Sequence, residues 1–270
     1  MWYSDRRELD KISKAGVYSY FNERGNPVVR MHSSFWLECE REDTAFTIPV
    51  LSTGNWEAWN AVAISNELEH PNTMFIDVGA NVGYYGVMAA AGGTPTWMFE
   101  PNPDLVENIF ISLALNRASK AAVFNKGLGD KEASMKLYKH ENHSGANSLF
   151  GTGDDYIEVD VTTLDNIIMP DFESRLDLYD RYVIKVDVEG YERKVWDGAK
   201  LLRDSAETIW YCEWVPERFT SAENREWLTE VLETHDLQFV TYDGSFRSVG
   251  VGEACQADFE MIVFRKRVSS

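Results

Sequence analysis

Six side chains have the types and spacing that a reactive site would need: Asp77, Glu100, Lys185, Asp187, Glu189 and Glu213. Asp77 interrupts a short apolar run, Met74 to Val78, that reads as a buried strand. The chain then bends through Gly79, Ala80 and Asn81 and continues, from about Val82 to Ala91, in small and apolar residues that read as a helix. A strand, a glycine-containing bend and a helix form the usual cradle for a nucleotide-like ligand in a doubly wound sheet. Gly79 and Gly83 would let such a ligand approach the backbone, since no Cβ stands in the way. A buried carboxylate needs a partner, so a bound cation or polar ligand would explain Asp77.

The bend reads Gly79-x-Asn81-x-Gly83, which is not the G-x-G-x-x-G of dinucleotide binding. An acid just ahead of it would repel a pyrophosphate. It suits a ligand that brings positive charge, an ammonium or a sulfonium, and so points to S-adenosylmethionine rather than NAD. The next apolar run, Pro95 to Glu100, ends in an acid 23 positions after Asp77. That is where a second-strand carboxylate accepts hydrogen bonds from ribose hydroxyls. Taken alone, Glu100 could equally be a solvated strand end or a partner for Asn102.

Further on, Tyr182 to Asp187 reads as a strand, and its period of two puts Lys185 and Asp187 on one face. Glu189 and Gly190 then turn the chain. Thr208 to Trp214 reads as the following strand and carries Glu213 at its end. A lysine and two acids within five residues at a strand end are unusual for structure alone, although an ion-pair network holding the turn is the plainer alternative.

Three separated blocks carry a family likeness. Asp77-Val-Gly-Ala-Asn-Val-Gly-Tyr84, Phe99-Glu-Pro-Asn102 and Ile184-Lys-Val-Asp-Val-Glu-Gly-Tyr-Glu192 together resemble the FkbM-type family of S-adenosylmethionine-dependent methyltransferases, over about Trp56 to Phe264. The resemblance implies a Rossmann-like class I methyltransferase fold. Its core would be a doubly wound, mostly parallel, seven-stranded sheet with an antiparallel hairpin at its edge. It implies S-adenosyl-L-methionine as cofactor, held by Asp77, Gly79, Asn81, Gly83, Tyr84, Glu100, Asn102, Leu128 and Asp187. Leu128, in Gly127-Leu-Gly-Asp130, falls where class I methyltransferases contact the adenine ring; a plain turn is the alternative there. The resemblance further implies O-methylation of a hydroxyl on a sugar or small metabolite. A nitrogen acceptor, a modified nucleotide, or a noncatalytic S-adenosylmethionine-binding protein stays open.

An already activated methyl donor leaves positioning and desolvation as much of the catalysis. A neutral hydroxyl must still lose its proton, to a carboxylate or histidine within hydrogen-bond reach. Asp187, Glu189 and Glu213 are the candidates, with Lys185 available to orient one of them or to stabilise a forming alkoxide. No metal is expected at the site, although converging acids could hold Mg²⁺ through oxygen.

Composition narrows the classes. With 270 residues, 44% hydrophobic and 13% aromatic, the chain can bury a sizeable core. Forty-four acids against 26 bases give a formal net charge of −18, which argues against nonspecific nucleic-acid or anionic-membrane binding. Cys39, Cys212 and Cys255 are far apart and show no C-x-x-C, so neither a disulfide framework nor a zinc site is signalled. The first residues hold no apolar segment of the signal-peptide kind, no run is long enough to span a bilayer, and a reducing cytoplasm is the default compartment.

Two regions follow: 1–54, a small β-rich extension, and 55–270, the methyltransferase domain. Within the extension, Val17 to Met31 reads as a hairpin, and Phe35 to Glu40 and Ala45 to Val50 as further strands. The extension would cover a sheet edge. In the larger region, Asn55 to Leu68 reads as a helix. Asn102 caps another, and Ala121 to Asn125 is a third strand. Ser134 to Tyr138 and Tyr156 to Val161 flank a long polar loop, His140 to Asp155, that reads as a lid or substrate loop. Helices are expected over Tyr191 to Leu202 and from the Thr220/Glu223 capping box to about His235. Leu237 to Tyr242 and Phe259 to Phe264, with a turn at Asp243-Gly244, supply the edge hairpin.

Overall fold

The computed structural model describes residues 17–32, 34–140, 142–169, 178–218, 220–257 and 260–267. Residues 1–16 of the extension and the strand start read at Phe259 lie outside these residues. Among the described residues the extension holds β1 (Ser19–Phe21), β2 (Pro27–Arg30) and β3 (Trp36–Glu38), an antiparallel sheet in that order. Ala45 to Val50 is not a strand. It lies in helix α1 (Thr44–Thr53), where Asp43 accepts from the Phe46 N–H at 3.1 Å and Gly54 ends the helix at φ 66°. These two caps, with Phe46 and Val50 buried in the core, outweigh the β propensity of the run.

The extension covers a helix rather than a sheet edge. The Glu38 N–H donates to Ser112 Oγ at 2.9 Å and the Trp36 N–H to Asn116 Oδ1 at 2.8 Å, both at the end of α4 (Pro103–Leu115). Asn102 caps α4 by accepting from the Asp104 N–H, with Pro103 in the first turn.

The main sheet is organised around β4 (Thr73–Val78), β5 (Thr96–Phe99), β6 (Ala121–Phe124), β10 (Arg181–Val186) and β11 (Glu207–Trp214), all parallel. β12 (His235–Val240), β13 (Phe246–Ser248) and β14 (Glu260–Lys266) join them antiparallel, giving the spatial order 13-12-14-11-10-4-5-6. The sheet therefore has eight strands, not seven. The turn at Asp243-Gly244 joins β12 to the extra edge strand β13, while β14 returns between β12 and β11. Chain order reverses between β4 and β10. In an open α/β sheet this switch point is where a crevice opens beyond the strand ends.

Alternation along the strands builds two cores. Phe75, Val183, Ile209, Tyr211 and Val263 face α2 (Ala58–Leu68), α3 (Tyr84–Ala91) and α4. Met74, Ile76, Ile184, Trp210 and Ile262 face α5 (Leu164–Ile168), α6 (Glu192–Asp197), α7 (Lys200–Ser205) and α8 (Ser221–Val231). The helix read over Tyr191 to Leu202 is thus two helices. They break at Gly198, where a Cβ would lie 1.9 Å from the Gly129 carbonyl oxygen. The helix read to His235 stops at Val231, and His235 opens β12 with its Nε2 3.1 Å from Thr208 Oγ1. A short helix, α9 (Val251–Ala254), precedes β14.

A third sheet, in the order β7 (Gly127–Leu128), β9 (Tyr156–Thr162) and β8 (Ala133–Tyr138), stands beside the crevice. No described helix is long and apolar enough to cross a membrane.

Candidate active site

Asp77 and Lys185 are direct cross-strand neighbours in the β4–β10 register. Asp77 is wholly buried and its Oδ2 accepts from the Gly86 N–H at 2.8 Å. Among the described residues its Oδ1 has no hydrogen-bond partner, and it faces Lys185 Nζ at 3.8 Å. The cation this carboxylate needs is thus supplied by the chain itself. Burial raises Asp77 to about 6, with Lys185 and the Gly86 N–H working against the rise.

The bend after β4 is shaped by protein contacts. At Gly79 (φ 73°) a Cβ would lie 1.9 Å from the Asp187 carbonyl oxygen, and at Gly83 (φ 88°) it would press on Ile109 and Val87 at 3.0 Å. The glycines thus allow two backbones and a helix to close up, a different reason from the ligand approach expected of them. Gly79 still lines one of the two cavities described below, whereas Gly83 lines neither of them.

Glu100 is fixed at the tip of β5 by two backbone donors, Asn81 N–H to Oε2 and Asn102 N–H to Oε1, each at 2.8 Å. Hydrogen bonds to a charged group contribute about 1.5–3 kcal/mol each. They do not offset burial here, which pushes Glu100 up to about 7. Together with Gly79, Asn81, Phe99, Leu128 and Asp187 it lines a cavity of about 70 Å³. Asn102 stands behind Glu100, spent on capping α4.

A second cavity of about 480 Å³ shares Asn81, Gly145, Asp187 and Glu189 with the first. Lys185, Glu213 and Tyr84 line it too. Lys185 Nζ lies 3.1 Å from Asp187 Oδ2 and donates to the Gly79 carbonyl at 3.3 Å. Burial pulls this lysine down, but Asp187 and Asp77 outweigh it and hold it above the ordinary lysine range. Asp187, Glu189 and Glu213 converge, with one oxygen of each lying within 4.8 Å of the others. Arg218, in the turn after β11, pairs with both Glu189 and Glu213. Burial raises Glu189 to about 7, helped by Asp187, and it raises Glu213 as well, helped by Asp187 and Glu189. Glu189 sits at φ 55°, followed by Gly190 at φ 100°, so the turn aims its side chain at a backbone cost.

The long loop roofs both cavities through Ser144, Gly145, Ala146, Asn147 and Leu149. Ser144 hydrogen-bonds Asp43 through its Oγ and, at 3.1 Å, through its N–H; its Oγ also reaches Asn81 Oδ1 at 2.7 Å. Ser148 Oγ donates to the Glu189 carbonyl at 2.9 Å. The roof is therefore tied to the extension, to the bend after β4 and to the turn after β10. Asp43, Arg218, Glu57 and Tyr85 belong to the site and were not singled out from sequence. Only Asp43 had a local signal, as a capping residue ahead of an apolar run.

With this geometry in place, comparison with protein families matches residues 77–239, well over half of the chain, to the Methyltransferase FkbM domain. The chain belongs to the FkbM methyltransferase family. No curated protein matches it significantly. Among solved structures, this FkbM methyltransferase is similar to a TehB-like S-adenosylmethionine-dependent methyltransferase from Corynebacterium glutamicum. The identity is 13%, covering 82% of this chain and 94% of that one, at a TM-score of 0.42. It is also similar to a precorrin-6y C5,15-methyltransferase from Geobacter metallireducens, at 13% identity, 78% and 88% coverage and a TM-score of 0.40. A third is the magnesium protoporphyrin IX methyltransferase of Synechocystis, solved with S-adenosylmethionine bound. It shows 12% identity, 78% and 76% coverage and a TM-score of 0.40.

As a member of this family the protein is an S-adenosylmethionine-dependent methyltransferase, and S-adenosyl-L-methionine is its cofactor. The chemistry of the residues present fits that group, while a cavity of about 70 Å³ has to widen to admit a nucleoside. Glu100 is a cavity-facing carboxylate held by neutral backbone donors, with lone pairs left to accept from hydroxyls. Phe99, Leu128, Leu137 and Leu149 give the same cavity apolar walls for a flat ring.

Proposed function

We propose that this methyltransferase transfers methyl to a hydroxyl oxygen of a sugar or other small metabolite, with the Glu189–Glu213 pair taking the hydroxyl proton. The observation that carries this reading is the sharing of Arg218 by these two carboxylates on the wall of the larger cavity. A base should sit near the working pH, and burial brings Glu189 to about 7. Arg218 keeps the pair oriented and offsets its charge. Lys185 holds Asp187 beside them, at the seam between the two cavities.

In this reading Glu100 binds the ribose hydroxyls, Phe99 and Leu128 flank the adenine, and Asn81 and Asp187 line the passage toward the acceptor. When bound, the cofactor supplies a methyl group already activated on a sulfonium. The chain's own part is to orient, to exclude water under the Ser144–Leu149 roof, and to hold the proton at a Glu189 or Glu213 carboxylate oxygen. A volume of about 480 Å³ suits a small acceptor. The net charge of −18 disfavours bare nucleic acid.

The test is a panel of hydroxylated sugars and metabolites incubated with methyl-labelled S-adenosylmethionine and read by mass spectrometry. Label on oxygen in at least one acceptor class is expected. Label only on nitrogen overturns the O-methylation reading, and tight donor binding without transfer to any acceptor points to a noncatalytic binder.

A further inference from the structure

Glu57 is the carboxylate of the larger cavity that the reaction above does not use. It stands at the N-terminus of α2 with φ 39° and ψ 56°, left-handed backbone that a glutamate rarely adopts. Its side chain does not cap the helix it precedes. Instead its Oε2 accepts from Tyr85 Oη at 2.6 Å and from Asn60 Nδ2 at 3.2 Å. Both donors are neutral.

The other three acids of this cavity are in ion-pair contact with cations: Asp187 with Lys185, and Glu189 and Glu213 with Arg218. Among the described residues, no lysine, arginine or histidine is in ion-pair contact with Glu57. Its Oε1 accepts no hydrogen bond from them either. Around it stand Trp56, Tyr84, Tyr85 and Phe46, ring surfaces of the kind on which a desolvated cation rests well. A strained backbone, a fixed carboxylate that feels Lys185 only from beyond ion-pair distance and an aromatic wall together point to a positively charged guest.

Resting on the reading of these cavities as the donor and acceptor sites, we infer that Glu57 receives a primary ammonium group carried by a ligand in the larger cavity. Two ligands could bring it: the cofactor, whose amino-acid end carries one, or an acceptor that is an amine-bearing sugar or metabolite. Burial raises the Glu57 carboxyl, and an arriving ammonium would work against that rise.

Glu57→Gln keeps an acceptor oxygen for Tyr85 and Asn60 while removing the charge. Glu57→Gly removes the side chain and suits the left-handed backbone, so it serves as the folding control. Calorimetry compares S-adenosylhomocysteine with 5′-methylthioadenosine, its twin without the amino-acid end. Thermal shift in the presence of S-adenosylhomocysteine compares D-glucosamine with D-glucose.

If the cofactor is the source, both variants lose about tenfold or more in S-adenosylhomocysteine affinity and keep 5′-methylthioadenosine within about twofold. If the acceptor is the source, both variants keep both adenosyl ligands. In that case D-glucosamine, but not D-glucose, raises the melting temperature of the wild type alone. Variants that match the wild type toward all four probes overturn the inference, and so does an equal loss for both members of either pair. A wild type that binds neither adenosyl compound instead refutes the underlying reading of the cavities, and the inference falls with it.

Discussion

Gly79 lies so close to Asp187 that a Cβ on the glycine would sit 1.9 Å from the Asp187 carbonyl oxygen. The bend after β4 and the tip of β10 thus touch backbone to backbone, and the Asp187 N–H closes the contact by donating to the Val78 carbonyl at 3.1 Å. This contact sets the seam along which both cavities open. Gly79→Ala should destabilise the fold by about 1–3 kcal/mol for overpacking and by about 1–2 kcal/mol more for left-handed backbone. Urea denaturation measures the combined loss. A variant with unchanged stability contradicts the contact.

Glu189 and Glu213 should govern the pH dependence of turnover. The base works ionised, and burial places Glu189 at about 7, so kcat/KM should rise with pH through that value. Glu189→Gln should lower kcat by about 10²-fold or more and displace the rising limb, while S-adenosylhomocysteine affinity stays. An unmoved limb in both Glu189→Gln and Glu213→Gln assigns the proton to another group.

Ser144 ties the roof to Asp43 and Asn81 at once. Ser144→Ala removes the hydroxyl's part of that tie, and hydrogen bonds to a charged group contribute about 1.5–3 kcal/mol. S-adenosylhomocysteine should then dissociate faster by about tenfold, and amides of residues 142–150 should exchange faster. Equal dissociation rates would show that the roof does not hold the ligand.

Asp77 and Glu100 should make the ligand-free protein less stable as pH rises. Their folded values, about 6 and about 7, lie above the ordinary 3.8 and 4.5, so the folded state binds these protons more tightly. The resulting stability is full below about pH 4 and is lost as pH climbs through about 6 to 7. Urea midpoints should fall over that window, and Glu100→Gln should lessen the fall. A midpoint that climbs instead, or a decline untouched by the substitution, contradicts the assignment.

Much of the site was legible because strand ends advertise themselves. Apolar runs located β4, β5, β10 and β11, and the acids at or near their tips, Glu100, Asp187 and Glu213, do line the two cavities. Asp77 misled for a physical reason: its partner, Lys185, lies 108 positions away and becomes its neighbour only through the β4–β10 register. Arg218 and Glu57 were invisible because nothing in their local spacing shows where a turn or a helix start will aim a side chain. At Ala45 to Val50, two end caps overrode what the β-branched residues preferred. The eighth strand escaped because β13 is three residues long and follows a turn that reads as a simple hairpin.

The most direct measurement is S-adenosylhomocysteine affinity, by calorimetry, in Glu100→Ala and Glu213→Gln beside the wild type. If the adenosyl group lies against β5 and the chemistry against β11, Glu100→Ala should lose about tenfold or more and Glu213→Gln should stay within about twofold. Equal affinities in all three proteins, or the loss appearing in Glu213→Gln alone, would contradict that division of the crevice.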